Sequence, residues 1–358
     1  MLKRLLSTDL PRNRWLALVL IVIVLGLALT PFLFPGTKAL NVAAKILVFI
    51  VLVASFDLLL GYTGIVSFAH TMFFGIGAYG IAIASTRLGP TWGALALGTG
   101  LALAASLLLA LVIGLFSLRV KAIFFAMITL AVASAFLALA SQLSDFTGGE
   151  DGLNFKVPVA LQPGTSYFEE PFLGVAIDGR FASYYLLFVV SMALLLVLLR
   201  IVNSPFGRVL QAIRENDFRA EAIGYRTVVY RTLSNVLSAL FATLAGCLLA
   251  LWLRYNGPDT TLSFEIMLDV LLIVVIGGMG TMYGAVVGSA LFVLAQNYLQ
   301  DLLKLGASAV EGVPVLSQLV APDRWLLWLG ILFVLSVYHF PAGVVGRLRA
   351  AKPRQRPR

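Results

Sequence analysis

The sequence predicts an all-α polytopic membrane protein: about ten transmembrane helices, some broken or re-entrant, with a short cytoplasmic helix between two of them. Three observations point to that class. The chain of 358 residues is 60% hydrophobic and 12% charged, whereas an ordinary soluble protein is about 25% charged. Its apolar residues come in solid runs near the ~20 residues needed to cross a hydrocarbon core, without the alternation of a β-barrel. Its basic residues collect in alternate loops, as orientation in a membrane requires.

In chain order, residues 1–14 form a basic amino-terminal segment, MLKRLLSTDLPRNR. No small-residue cleavage site follows the apolar run after it, so an uncleaved first span is expected. The candidate spans are 15–34, 41–60, 65–86, 91–116, 121–142, 183–202, 230–253, 265–280, 283–303 and 325–341. Residues 15–345 thus form one membrane domain, followed by a basic tail at 346–358. With the amino terminus in the cytoplasm, 18 of the 26 Lys and Arg residues fall inside, Arg119 and Lys121 among them. Glu150, Asp151, Glu169, Glu170 and Asp178 fall outside. Both termini are therefore expected in the cytoplasm. Trp15, Trp92, Trp252, Trp325 and Trp328 lie near span ends, where an interfacial aromatic belt sits. The net charge of +9 then reflects topology and contact with anionic lipid, with no nucleic acid implied.

Two connections exceed a hairpin turn: an outer loop at 143–182 and an inner loop at 203–229. In the inner loop, RVLQAIRENDFRAEAIG reads as one helix, with Val209, Ile213, Ala220 and Ile223 on a shared face. Asn216 interrupts that face and Phe218 points away from it. Gly224 is the expected stop. Arg208, Arg214, Glu215, Asp217, Arg219 and Glu221 occupy the rest. An interfacial helix on lipid is one account; the mixture of acids and bases suits a protein groove better.

The stretch GYTGIVSFAHTMFFGIGAYG, residues 61–80, places five glycines in an apolar region, although glycine costs a helix interior up to about 1 kcal/mol relative to alanine. Gly61 and Gly64 flank Tyr62 and Thr63 in an expected tight turn, and Ser67, His70 and Thr71 fall in the early turns of the next span. Gly75, Gly77 and Gly80 follow. A second cluster supplies Gly277, Gly278, Gly280, Gly284 and Gly288, with the last three read as a ladder on one helix face. Two glycine-interrupted segments far apart in sequence are the pattern of a discontinuous-helix transport site. Helix packing accounts for Gly284 and Gly288, and serves Gly61, Gly64, Gly75 and Gly77 equally well. Asp57 and Asp269 lie in apolar spans, where ionisable groups are costly and usually functional. Neither has an evident intramembrane Lys or Arg partner in the sequence, and Asp57 also suits a capping role. His70 suits a hydrogen-bonded structural role better than proton transfer.

Catalysis and cofactors find little support. Cys247 is the one cysteine, His70 and His339 lack zinc-site spacing, and no P-loop occurs. The HExxH and Gly-x-Ser-x-Gly elements of an intramembrane enzyme are absent too.

Four segments resemble one family. GYTGIVSFAHTMFFGIGAY, TGGEDGL at 147–153, SPFGRVLQAIRENDFRAEAIG at 204–224 and VIGGMGTMYGAVVGSAL at 275–291 are similar, in order and separation, to the permeases of branched-chain amino-acid ABC importers, in their LivM-type subunit. Ile65, Ala69 and Glu150 depart from the family pattern. Importers of urea and of aromatic acids share the architecture, so the substrate stays open. The resemblance implies a second homologous permease, two cytoplasmic ATP-binding subunits and a periplasmic substrate-binding protein, in a bacterial inner membrane. The glycine-interrupted segments and the polar residues beside them put Asp57, Gly61, Tyr62, Gly64, Ser67, His70, Gly75, Gly77, Gly277, Gly278 and Gly280 on an expected substrate pathway. Arg208, Arg214, Glu215, Asp217, Glu221 and Gly224 would couple to the ATPases, and Gly148, Gly149, Glu150 and Asp151 would receive the binding protein. Transport would proceed by alternating access. An ion-coupled transporter using Asp57, His70 and Asp269 as a relay is the competing class.

Overall fold

The computed structural model describes residues 13–34, 36–117, 122–168, 176–309, 324–340 and 342–350. The segment 1–12, Arg119, Lys121, Glu169, Glu170 and the tail from 351 lie outside the described residues. Helices α1 (Arg14–Leu33), α2 (Thr37–Thr63), α3 (His70–Leu88), α4 (Trp92–Ser117) and α5 (Ala122–Gln142) lead into the outer loop. Then come α6 (Gly179–Val202), α7 (Pro205–Glu215), α8 (Asp217–Ala222) and α9 (Thr227–Leu253). The chain closes with α10 (Phe264–Gly277), α11 (Met282–Ala309), α12 (Trp325–His339) and α13 (Gly343–Ala350). Among the described residues, nine helices are long and apolar enough to cross a membrane. Each corresponds to an expected span. α3 is the remaining one; at 19 residues it is diluted by His70, Thr71, Arg87 and three glycines.

Two boundaries differ from expectation. The third helix starts at His70, not at residue 65, because Gly64 takes a left-handed conformation (φ 75°) and ends α2. Its N–H and that of Ile65 turn back to the carbonyls of Leu60 and Leu59, closing orphan acceptors of the last turn. Ser67 consequently lies in a short link ahead of the helix. Gly61 is helical, so only Gly64 uses glycine's freedom of φ. In the second cluster, α10 ends at Gly277 and α11 starts at Met282. Gly280 (φ 78°) belongs to the turn between them. The expected three-glycine ladder is thus a two-glycine contact: a side chain at Gly284 would meet the Gly278 carbonyl, and one at Gly288 the Ile273 carbonyl.

α2 runs through the middle of the bundle, buried along nearly its whole length. At 27 residues it spans about 40 Å, more than a hydrocarbon core of about 30 Å. Lipid provides little hydrophobic drive between helices, so close backbones and polar bonds hold the bundle. α9 supplies many of these. A Cβ on Gly246 would overlap the Phe74 carbonyl, and one on Gly77 the Thr243 carbonyl, so α3 and α9 touch backbone to backbone. Ser234 meets the Thr63 hydroxyl at 2.9 Å, and Ser238 donates to the Ser55 carbonyl at 2.6 Å. Asn235 donates to the Ala110 carbonyl (2.9 Å) and Thr243 to Ser106 (2.6 Å), tying in α4. Outer helices such as α1 and α12 present large apolar side chains outward, as lipid contact requires.

Candidate functional site

The inner loop carries the first part of the site. Ser204 caps α7 by accepting from the Gly207 N–H, and Pro205 occupies the first turn. Gly207, Leu210 and Ile213 bury one face. The single helix expected here is two, because Asn216 adopts extended geometry (φ −161°, ψ 100°). Its side chain accepts from the Arg219 N–H and so starts α8. That break turns Ile223 into solvent, 68% exposed, where the shared face had placed it inward. Phe218 points out as expected, at 83% exposure. Leu210 fills the buried place instead. Asp217 pairs with Arg231 at 2.9 Å and Glu221 accepts from the Thr227 hydroxyl at 2.6 Å, so both acids fasten α8 to the start of α9. Gly224 (φ 98°) forms the stop. Arg208 and Glu215 are exposed.

Arg214 reaches from α7 to donate to the Gly61 carbonyl. There the two glycine-rich segments meet. The Gly280 N–H donates to Asp57 Oδ1 at 2.8 Å, one turn before Gly61 on α2. A side chain at Gly61 would collide with both the Asp57 carboxylate and the Gly280 nitrogen. A pocket of about 340 Å³ opens at this junction, lined by Gly61, Gln211, Arg214, Glu215 and Gly280. Gly278 (φ 115°) packs against the start of α13, where a side chain on Gly343 would collide with the Gly278 backbone. Four elements therefore converge on one point: the end of α2, the turn 278–281, α13 and α7. Asp57 has the basic neighbour that the sequence had not revealed.

The other expected pathway residues are dispersed. His70 is enclosed, its Nε2 2.8 Å from Ser55 Oγ and 3.3 Å from the Leu52 carbonyl. Its ring lies against Phe56. Tyr62 and Ser67 are buried. Gly75 abuts the Leu262 side chain, and Gly77 the α9 backbone. Gly277 closes the α10–α11 hairpin against the Gly284 carbonyl.

At the far end, Gly148, Gly149 and Gly152 all have positive φ. They fold the outer loop back so that β1 (Leu153–Asn154) pairs antiparallel with β2 (Tyr255–Asn256). Tyr255 donates to the Asp151 carbonyl at 3.2 Å. Phe155, Val157 and Leu161 pack on the ends of α3 and α9. Glu150 and Asp151 remain exposed above this lid.

One part of the site was missed in sequence. A cavity of about 660 Å³ opens between α2, α9, α10 and α11 at the end of α2 away from Arg214. Lys45 in α2 donates to Gln296 Oε1 at 2.8 Å, and Gln296 Nε2 donates to Asp269 Oδ2 at 3.2 Å. Asp269 thus has a basic partner, through an amide. Trp252, expected in the interfacial belt, is instead 8% exposed and donates to Asn41 at 3.1 Å in the cavity wall. Polar residues inside spans were the available signal; Lys45 and Gln296 are 251 residues apart, so nothing local joined them. Among the described residues, no group of three or more His, Cys, Asp and Glu side chains is placed to hold a metal ion.

Comparison with known proteins identifies a family. A family model described as the permease component of the branched-chain amino acid transport system matches residues 38–337. The high-affinity branched-chain amino acid transport system permease protein LivM of Salmonella typhimurium is 26% identical over 80% of this chain and 70% of its own length. The protein of the same name from Escherichia coli is 26% identical over 80% and 69%. A probable branched-chain amino acid transport permease protein LivM from Methanocaldococcus jannaschii is 24% identical over 64% and 61%. No solved structure matches the chain.

Proposed function

The chain belongs to the branched-chain amino acid transport permease family, and from that premise we propose that it is the membrane subunit of an ABC importer for branched-chain amino acids. It works by alternating access, and the energy comes from separate ATPase subunits. The complex contains a second, homologous permease, two ATP-binding subunits on the cytoplasmic side and a substrate-binding protein on the outer side. The chain sits in a bacterial inner membrane with both termini in the cytoplasm, and performs no bond chemistry itself.

One observation supports this reading above the others. Arg214 on the amphipathic inner helix grips the carbonyl of Gly61, where α2 meets the turn at Gly280. A push on α7 from below is therefore delivered to both glycine-interrupted segments together. α8 offers a partner Phe218 and Ile223, two exposed apolar side chains among charges, a pattern suited to a protein groove. The close Gly61–Gly280 contact, which admits no side chain at Gly61, favours transmission of the push, because packed interfaces switch between arrangements and do not deform continuously. The exposure of Glu150 and Asp151 on the outer lid supports their role in meeting a delivering protein.

A relay through Asp57, His70 and Asp269 gains no comparable support. Their hydrogen bonds run to Gly280, to Ser55 and Leu52, and to Gln296 respectively, which are three separate sets of partners. The deciding experiment measures leucine, isoleucine and valine uptake by the reconstituted complex. Uptake is expected only with ATP and hydrolysis-competent ATPase subunits. Uptake by the chain alone under a proton gradient would overturn the proposal.

A further inference from the structure

The cavity at the far end of α2 has the chemistry of an amino-acid site. Charged groups inside spans are costly and mark function by default. Lys38, Lys45, Asp259, Glu265 and Asp269 all line this cavity; Lys38, Asp259 and Glu265 are exposed, which leaves Lys45 and Asp269 as its withdrawn charges. Lys45 and Asp269 are both partly buried, yet they do not pair directly. The Gln296 carboxamide stands between them, giving its carbonyl to Lys45 and its NH2 to Asp269. That orientation is forced, because an ammonium needs an acceptor and a carboxylate needs a donor. An amino acid's head group presents the same two faces with full charges: a carboxylate for Lys45 and an ammonium for Asp269. Each bond to the amide already has one ionised partner; a zwitterion makes both partners ionised and adds a Coulombic attraction at each contact. A zwitterion therefore outcompetes the amide for the same two partners. One part of the wall suits an aliphatic tail, with Phe49, Phe74, Leu249 and Ile266 beside Trp252; the remainder is polar. The volume of about 660 Å³ falls within the ~300–1,000 Å³ of small-molecule sites.

We propose that this cavity is a binding station for a zwitterionic amino acid within this subunit. Lys45 holds the carboxylate, Asp269 the ammonium, and Gln296 occupies the head-group position while the station is empty. The proposal rests on the permease reading above. It adds that this chain contacts the substrate itself on the outer side of the Gly61–Gly280 junction, whatever a delivering protein does.

The test uses the full complex in lipid nanodiscs and the fluorescence of Trp252, identified by its loss in Trp252→Phe. The probes are L-leucine, its deaminated analogue 4-methylpentanoate and its decarboxylated analogue 3-methylbutylamine. Leucine should give a saturable change, with each single-charge analogue at least about tenfold weaker. Lys45→Met should weaken leucine and the acid while sparing the amine. Asp269→Asn should weaken leucine and the amine while sparing the acid, and Lys45→Arg should retain leucine binding. Gln296→Ala should tighten leucine binding, because the internal competitor is gone; a purely structural amide would not do this. A silent Trp252, or equal weakening of all three probes in both charge variants, overturns the station. ATP-driven uptake measured in parallel separates the two readings. If the unaltered complex takes up no leucine, the permease assignment fails; if Lys45→Met takes up leucine normally, only the station fails.

Discussion

Asp57 and Asp269 are both acids within apolar helices, each with a basic residue nearby, yet they are held in different ways. Asp57 is 1% exposed and accepts from the Gly280 backbone across a contact that admits no Cβ. Asp269 borders a cavity and is held by a side chain that can swing away. A carboxylate held by backbone through one oxygen, its other oxygen buried without a partner, is part of the frame; one held by a side-chain amide can exchange partners. The same helix α2 carries both regions, so it joins a rigid coupling point to an exchangeable site.

The rigid end should be the easier to break. Gly61→Val would drive methyl groups into Asp57 and the Gly280 backbone, costing about 3 kcal/mol or more by overpacking. Uptake should vanish and the melting temperature of the purified complex should fall; a variant that melts and transports normally would show that the contact is loose. Arg214→Gln should come next. It leaves the packing intact but cuts the tie to Gly61, so ATP hydrolysis should persist while uptake per ATP falls by about tenfold, as for a lost charge-assisted bond of ~1.5 kcal/mol. Equal loss of both activities would instead make Arg214 a residue of assembly.

Phe218→Ser tests the surface below the rigid end. Its side chain is exposed, so folding should be unaffected, while the ATPase subunits should co-purify less well, by roughly 1–2 kcal/mol of binding energy. Smallest of all, Glu150→Gln with Asp151→Asn should change affinity for the binding protein by about threefold at low salt and by less at high salt, since exposed charges are screened.

The contrast also separates what was legible in the sequence from what was not. Spans were legible because hydropathy is local: all ten fall on helices, with ends displaced by a few residues. The glycine clusters and the inner helix were legible because their composition departs from their surroundings. Their meeting was not, since the Asp57–Gly280 bond joins residues 223 positions apart. Asn216 was noticed as an interruption of a face, yet its power to cap a second helix depends on a backbone turn that periodicity does not contain. Trp252 sat near a span end and was read as interfacial; only packing reveals that it faces inward.

The polar seam of α9 has a consequence for biogenesis. Thr63 waits for a hydroxyl 171 residues later, Ser55 for one 183 residues later, and Ser106 for one 137 residues later. Six membrane helices, α1 to α6, enter the bilayer during synthesis before the segment that completes them exists. Until then the bonds to α9 are unmade, and only contacts within each helix, such as that from the Thr63 hydroxyl to the Leu58 carbonyl, are in place. Nascent chains stalled ahead of Thr227 should accordingly be open to protease in a way that chains released after Leu253 are not.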